Sequence, residues 1–191
     1  MIDTLEFCRE KTVNSRILDD LNLQAKEYVV VTLHRPSNVD QRNALSRILE
    51  GLAEIQKEFK VVFPVHPRTY KNLISNGMMK KLEDLPNVLI SEPLGYLDFL
   101  KLMFESKLVI TDSGGIQEES TILGIPCLTI RENTERPITI TKGTNILVGT
   151  DTSRILNGYR KSLNTIKPYT KPKLWDGKAS ERIIQILLAS L

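Results

Sequence analysis

Leu108-Val109-Ile110-Thr111-Asp112-Ser113-Gly114-Gly115-Ile116-Gln117-Glu118-Glu119 is the stretch from which the rest of the chain is read. Its first four residues form an apolar, β-branched run of the kind that makes a buried parallel strand. Residues 116–123 read as a short helix. The two glycines between them leave backbone N–H groups uncovered by any Cβ, at the positive end of the helix dipole. A phosphate binds at such a helix end without a dedicated cation. A tight turn with no ligand is the competing reading of the glycines, and the carboxylates that follow weigh against it. Glu118 and Glu119 are an odd pair beside a phosphate unless one of them grips something else. A ribose diol is suitable, because a carboxylate accepts from both hydroxyls. The plainer alternative is that both residues complement the helix dipole, and only one is expected to face the site.

Strand-like runs recur on either side of this stretch, at residues 28–33, 61–63, 88–90, 127–130 and 145–148. Helical spacing separates them: Leu45, Ile48, Leu49, Leu52 and Ile55 share one face, residues 70–82 read as a second helix, and Leu97, Leu100, Leu102, Met103 and Phe104 mark a third. The strands lack the in–out alternation of a half-wet sheet, so both faces are expected to be covered. Crossovers of this length join parallel strands right-handedly. The expected fold is α/β, a doubly wound parallel sheet of Rossmann-like type.

The ends fit this pattern less simply. A helix is expected over residues 3 to about 15, within a leading helix and linker at 1–26. Residues 165–178 hold Lys167-Pro168, Lys171-Pro172 and the lone Trp175, and read as an extended crossing. A final helix, apolar at Ile183, Ile184, Leu187, Leu188 and Leu191, completes the segment 165–191. Flanking helices of this kind suit packing on another domain.

At 191 residues the chain fits one α/β domain, with 41% hydrophobic and 26% charged residues. A net charge of +3 is too small to argue for nucleic acid. The late basic residues, among them Arg154, Arg160, Lys161 and Lys178, read as solvated surface. Cys8 and Cys127 make no metal or redox spacing, and Cys127 lies in a core strand, as a reduced thiol does. Met1-Ile2-Asp3-Thr4-Leu5-Glu6 is charged at once and no apolar signal region follows; nothing approaches a membrane span. A cytoplasmic protein is expected.

In a doubly wound sheet, ligands bind at the carboxyl ends of the strands. The first strand ends in His34-Arg35-Pro36-Ser37-Asn38 and the second in His66-Pro67-Arg68-Thr69. The fourth ends in the Ser-Gly-Gly turn. The fifth is followed by Arg131-Glu132-Asn133-Thr134-Glu135-Arg136-Pro137. Both histidines and several arginines thus gather on one edge. A ligand role is favoured for His34, while His66, held extended by Pro67, reads equally as structural. Arg136 either caps its loop or binds an anion, and its place near a phosphate-binding helix end favours the anion.

Taken together, His34-Arg35…Asn38, Asp112 through Glu119, Gly124-Ile125-Pro126 and Thr134-Glu135-Arg136-Pro137 closely resemble the non-hydrolysing UDP-N-acetylglucosamine 2-epimerases. Glu92-Pro93-Leu94-Gly95-Tyr96, Gly149-Thr150-Asp151 and Asp176-Gly177-Lys178 resemble further landmarks of that family. The resemblance covers nearly the whole chain. It implies two Rossmann-like domains arranged as in GT-B glycosyltransferases, with this chain (1–191) corresponding to the second, nucleotide-holding one and the N-terminal domain absent. It also implies a chemistry: UDP is eliminated to leave a 2-acetamidoglucal and is re-added with C2 inverted, interconverting UDP-N-acetylglucosamine and UDP-N-acetylmannosamine.

By the same resemblance Ser113, Gly114 and Gly115 hold the diphosphate, Glu119 the ribose, and Phe99 with the backbone at Leu94 the uracil. Arg35 and Arg136 belong to the nucleotide site. His34 lies near the diphosphate and is the catalytic candidate, stabilising charge on departing UDP; such donors are each worth about 2.7–4 kcal/mol. His66 matches a histidine on the sugar or regulatory side. No metal or other cofactor is implied. The implied partners are the UDP-sugar and either a second copy (a homodimer) or a separately encoded N-terminal domain. Two residues depart from the family pattern: Ser37 stands where a glutamate is usual, and Trp175 where glycine is common. The family's proton-moving acidic residues lie in the first domain, so the chain alone is expected to bind UDP without turnover. Two alternatives stand beside this: a GT-B glycosyltransferase donor domain, against which His34-Arg35 and Thr134-Glu135-Arg136-Pro137 argue, and a non-catalytic UDP-sugar-binding half that needs a partner.

Overall fold

The six β-branched runs become six strands of one sheet, all parallel, in the computed structural model, which describes residues 1–164 and 169–190. They are β1 (Tyr28–Thr32), β2 (Lys60–Pro64), β3 (Val88–Ser91), β4 (Leu108–Thr111), β5 (Cys127–Thr129) and β6 (Asn145–Leu147). Their spatial order is β3-β2-β1-β4-β5-β6. Chain direction across the sheet therefore reverses between β1 and β4, and at such a switch point the flanking helices diverge and leave a crevice.

The strands are apolar on both sides because both sides are covered. Val29 and Val31 of β1 join Leu108 and Ile110 of β4 in a core under the helices Arg42–Ile55 and Thr152–Asn164. Tyr28 and Val30 face the other way, with Val62 and Leu102. Val109 joins Leu5, Leu100, Met103 and Ile125 on that same side. Ile48, fully buried on Arg42–Ile55, packs into the first of these cores. Ile48→Ala is expected to cost about 2–5 kcal/mol, seen as a lower urea midpoint with an unchanged m-value.

Helix boundaries differ from expectation where local chemistry intervenes. The helix expected over 70–82 is two, Pro67–Ser75 and Met79–Glu83, because Gly77 takes φ +65° between them. The one expected over 116–123 begins at Gly114, since Ser113 is its N-cap. The leading helix is α-helical only over Ile2–Arg9 and tightens to 3-10 geometry over Glu10–Asn14. Short helices at Pro36–Val39 and Pro137–Thr141, each led by proline, and the longer Thr152–Asn164 were not foreseen.

Residues 169–178 carry neither helix nor strand, as expected of a crossing segment; Lys167-Pro168 and Leu191 lie outside the described residues. The crossing returns to the start of the chain. Lys171 pairs with Glu6 at 3.0 Å, and Asp3 accepts from the backbone N–H groups of Ala179 and Ser180, capping the helix Ala179–Ala189. That helix buries none of its residues. Ile183, Ile184, Ile186, Leu187 and Leu188 are 56–66% exposed, and Phe7 on the leading helix is exposed as well. Exposed apolar surface at the two ends was expected and is present.

Candidate functional site

The carboxyl ends of β1 and β4 are tied together through Asp112, which is 0% exposed. Its carboxylate accepts from the backbone N–H of His34 (3.1 Å) and of Arg35 (2.9 Å), from Asn38 Nδ2 (3.0 Å), and from His34 Nδ1 (2.9 Å). Asn38 also donates to the carbonyl of Ile130 beyond β5 (2.8 Å), and Arg35 Nε to the carbonyl of Asp112 (3.0 Å). Burial pushes the Asp112 carboxyl up, but the donors from His34 and Arg35 outweigh it and hold the group below the ordinary carboxylate range. A carboxylate only accepts, so His34 Nδ1 carries the proton of that contact and Nε2 is left for another partner. The His34 side chain is 42% exposed. Across from it, His66 Nδ1 accepts from the N–H of Arg68 (3.2 Å), and the two imidazole centroids lie 5.8 Å apart. Arg68 itself is held by Asp40.

Ser113 bends the chain out of β4, and the helix Gly114–Leu123 follows with Gly114 and Gly115 in its first turn. The leading N–H groups of a helix have no intrahelical acceptor. A Cβ added at Gly114 would meet nothing within 4 Å. One added at Gly115 would meet the Met1 thioether at about 3.0 Å. The site above the first glycine is therefore open to a ligand.

The two carboxylates after the glycines separate as expected. Glu119 is 6% exposed and accepts from the Tyr96 hydroxyl (2.9 Å). Burial raises its carboxyl above the ordinary value, and the Tyr96 hydrogen bond works the other way. Glu118 turns to the partly exposed Arg136 and pairs with its Nε. Arg136 is thus beside the helix end but is engaged by a carboxylate in this structure. The loop that carries it is anchored by Thr134, whose hydroxyl donates to Gln117 Oε1 (2.7 Å) and accepts from the Arg136 N–H (3.0 Å). Next to it, Glu135 takes a two-pronged contact from Arg131 (2.8 and 3.1 Å), which holds its carboxyl down at about 2. Leu94 and Phe99 are half-buried, packed among Ile17, Tyr28 and Leu102 at the foot of the helix Tyr96–Phe104. Among the described residues, the Ser37 hydroxyl donates to its neighbour Asn38 (3.4 Å) and makes no other side-chain hydrogen bond.

His34, Arg35, His66, Ser113, Gly114, Gly115, Glu119 and Arg136 therefore stand at the ends of β1, β2, β4 and β5. Asp112 and Tyr96 lie in the same motifs, but the sequence alone assigns neither a role. The signal that finds Asp112 is a buried carboxylate at a strand end facing a histidine, and it needs the strand order to be seen.

A glycine-led helix end at the switch point of a doubly wound sheet, with a buried carboxylate in the second turn, defines an α/β domain whose helix end is of the kind that receives an anion. The sequence profile of the UDP-N-acetylglucosamine 2-epimerases matches residues 1–188, and the chain belongs to that family. The UDP-N-acetylglucosamine 2-epimerase of Methanocaldococcus jannaschii is 42% identical over 176 residues, which cover 91% of this chain and 46% of that protein. Its crystal structure in complex with UDP-GlcNAc and UDP superposes with a TM-score of 0.90 at 37% identity, covering 98% of this chain and 52% of the other. Sucrose-phosphate synthase from Thermosynechococcus elongatus, 14% identical with a TM-score of 0.60 over 92% of this chain and 49% of its own, shares the fold alone. The chain spans about half the length of the curated relatives it matches. Among the described residues, no helix is long and apolar enough to cross a membrane.

Proposed function

We propose that this chain binds a uridine diphosphate sugar across the ends of β1 and β4 and is the nucleotide-holding half of a UDP-N-acetylglucosamine 2-epimerase. The observation that carries the reading is the helix end at Ser113-Gly114-Gly115, open above Gly114, with buried Glu119 in its second turn and His34 at the neighbouring strand end. The diphosphate lies on the first-turn N–H groups, the ribose on Glu119, and the uracil against Phe99 and the Leu94 backbone, with Arg35 and Arg136 at the rim. Arg136 then exchanges some of its contact with Glu118 for the phosphate. No metal or redox cofactor enters this reading.

The reaction begins when a base removes the proton from C2 of the sugar and the C1–O bond to UDP breaks, giving the 2-acetamidoglucal. Negative charge grows on the departing diphosphate. The helix N–H groups stabilise it where it forms, and His34, its Nδ1–H held by Asp112, adds to this in the form that also carries a proton on Nε2 to donate. Re-addition of UDP with a proton delivered to the opposite face of C2 yields the epimer. The resemblance to the epimerases assigns the base at C2 to a first domain, outside these residues. Among the described residues at this edge, Asp112 is saturated by its donors, Glu118 pairs with Arg136, Glu119 holds Tyr96, and Glu135 pairs with Arg131.

That base belongs to a first domain, and the bare apolar face of Ala179–Ala189 supports the need for such a partner. Residues 1–191 correspond to the second domain, with 1–26 leading in and, among the described residues, 169–178 crossing back to the helix Ala179–Ala189. A cytoplasmic location goes with this reading, supported by two free thiols, Cys8 and Cys127. The chain mixed with a first domain from a relative is expected to form UDP-N-acetylmannosamine from UDP-N-acetylglucosamine, followed by proton NMR, while the chain alone forms none. No product from the mixture, although UDP binds, would contradict the epimerase assignment.

A further inference from the structure

We propose that Tyr96 is a further nucleotide-specificity residue, a positioning group whose hydroxyl fixes Glu119 so that the carboxylate is presented to the 2′- and 3′-hydroxyls of a ribonucleotide. The inference rests on the reading of Glu119 as the ribose ligand. Glu119 sits in the second turn of Gly114–Leu123 with only 6% of its surface exposed, and its Oε1 accepts from Tyr96 at 2.9 Å. Among the described residues, Oε2 accepts no hydrogen bond. One oxygen is thus pinned by the tyrosine and the other is available, and Oε1 keeps a second lone pair. That is the arrangement a vicinal diol needs, since it offers two donors to one carboxylate.

A buried glutamate without a donor is free to rotate away or to take up a proton, and in either state it is a poorer acceptor for a diol. Burial already pushes Glu119 in that direction, and the Tyr96 hydroxyl is the side-chain contact that opposes it. Tyr96 also has an informative place in the chain. It is the first residue of the helix Tyr96–Phe104, directly after Leu94 and Gly95 and one turn before Phe99. The residues assigned to the uracil and the residue that holds the ribose carboxylate therefore share a single helix start. A base seated there and a ribose seated on Glu119 set each other's position.

Tyr96 is 40% exposed, so Tyr96→Phe removes the hydroxyl while the ring stays in place. The experiment compares UDP with 2′-deoxyuridine diphosphate by calorimetry for the parent, Tyr96→Phe, Glu119→Gln and the double variant. The parent is expected to prefer UDP. Tyr96→Phe is expected to bind UDP about 10-fold more weakly and to lose most of that preference. On the Glu119→Gln background the tyrosine substitution is expected to add less than about twofold, because it acts through the carboxylate. Unchanged ribose preference in Tyr96→Phe, or losses that multiply in the double variant, would overturn the inference while leaving UDP binding at the helix end intact. A parent that binds neither nucleotide would overturn the reading beneath it and this inference with it.

Discussion

Gly114→Val is expected to abolish UDP binding while leaving the fold intact. A Cβ at this position meets nothing within 4 Å, so the folded chain has room for a side chain. That room is the proposed seat of the diphosphate. A branched side chain would stand between the anion and the first-turn N–H groups, and contact at hydrogen-bond distance would be lost. If only the folded state binds, UDP at about 100 times its Kd stabilises by roughly 2.7 kcal/mol. For a domain of this size that raises Tm by roughly 5–10 °C. The parent should show this rise by calorimetry and the variant none, with equal Tm in the absence of UDP. Gly115 is a less clean probe, since a side chain there would also displace the Met1 thioether.

Asp112→Ala is expected to destabilise the fold by about 3–5 kcal/mol at neutral pH. The carboxylate is wholly buried and is the acceptor for two backbone N–H groups, Asn38 Nδ2 and His34 Nδ1. Its removal orphans several donors at once, beyond the cost of the space it leaves. The sign of the pH dependence follows from its depressed carboxyl. Its stabilisation is fully present above the unfolded value of about 3.9, and it is lost as pH falls through the lower folded value. Urea unfolding at pH 7 and again near pH 3 should therefore show a large gap between parent and variant that narrows in acid. Asp112→Asn keeps the volume but replaces one acceptor oxygen with a donor. His34 is then expected to move its proton from Nδ1 to Nε2, a change visible in nitrogen NMR of the ring.

The strands were legible because each is an unbroken apolar run, and their parallel pairing followed from what separates them. The glycine-led helix end was legible for the same local reason. What the sequence hid was long-range. Asp112 meets His34, Arg35 and Asn38 across 74 to 78 residues, and those meetings depend on β1 lying beside β4. The Tyr96–Glu119 contact, 23 residues apart, needs the start of one helix to face the second turn of another. Local chemistry also misled: Gly77 broke an apolar periodicity that read as one helix, and Ser113 started the next helix two residues early. Arg136 lies beside the helix Gly114–Leu123, and its pairing with Glu118 is a tertiary choice that spacing does not reveal.

The most direct test of the central claim is a crystal of this chain soaked with UDP. The diphosphate is expected on the N–H groups of Gly114 and Gly115, the ribose hydroxyls on Glu119, and His34 within reach of a phosphate oxygen. UDP bound away from the ends of β1 and β4, or a helix end left empty at saturating nucleotide, would contradict it.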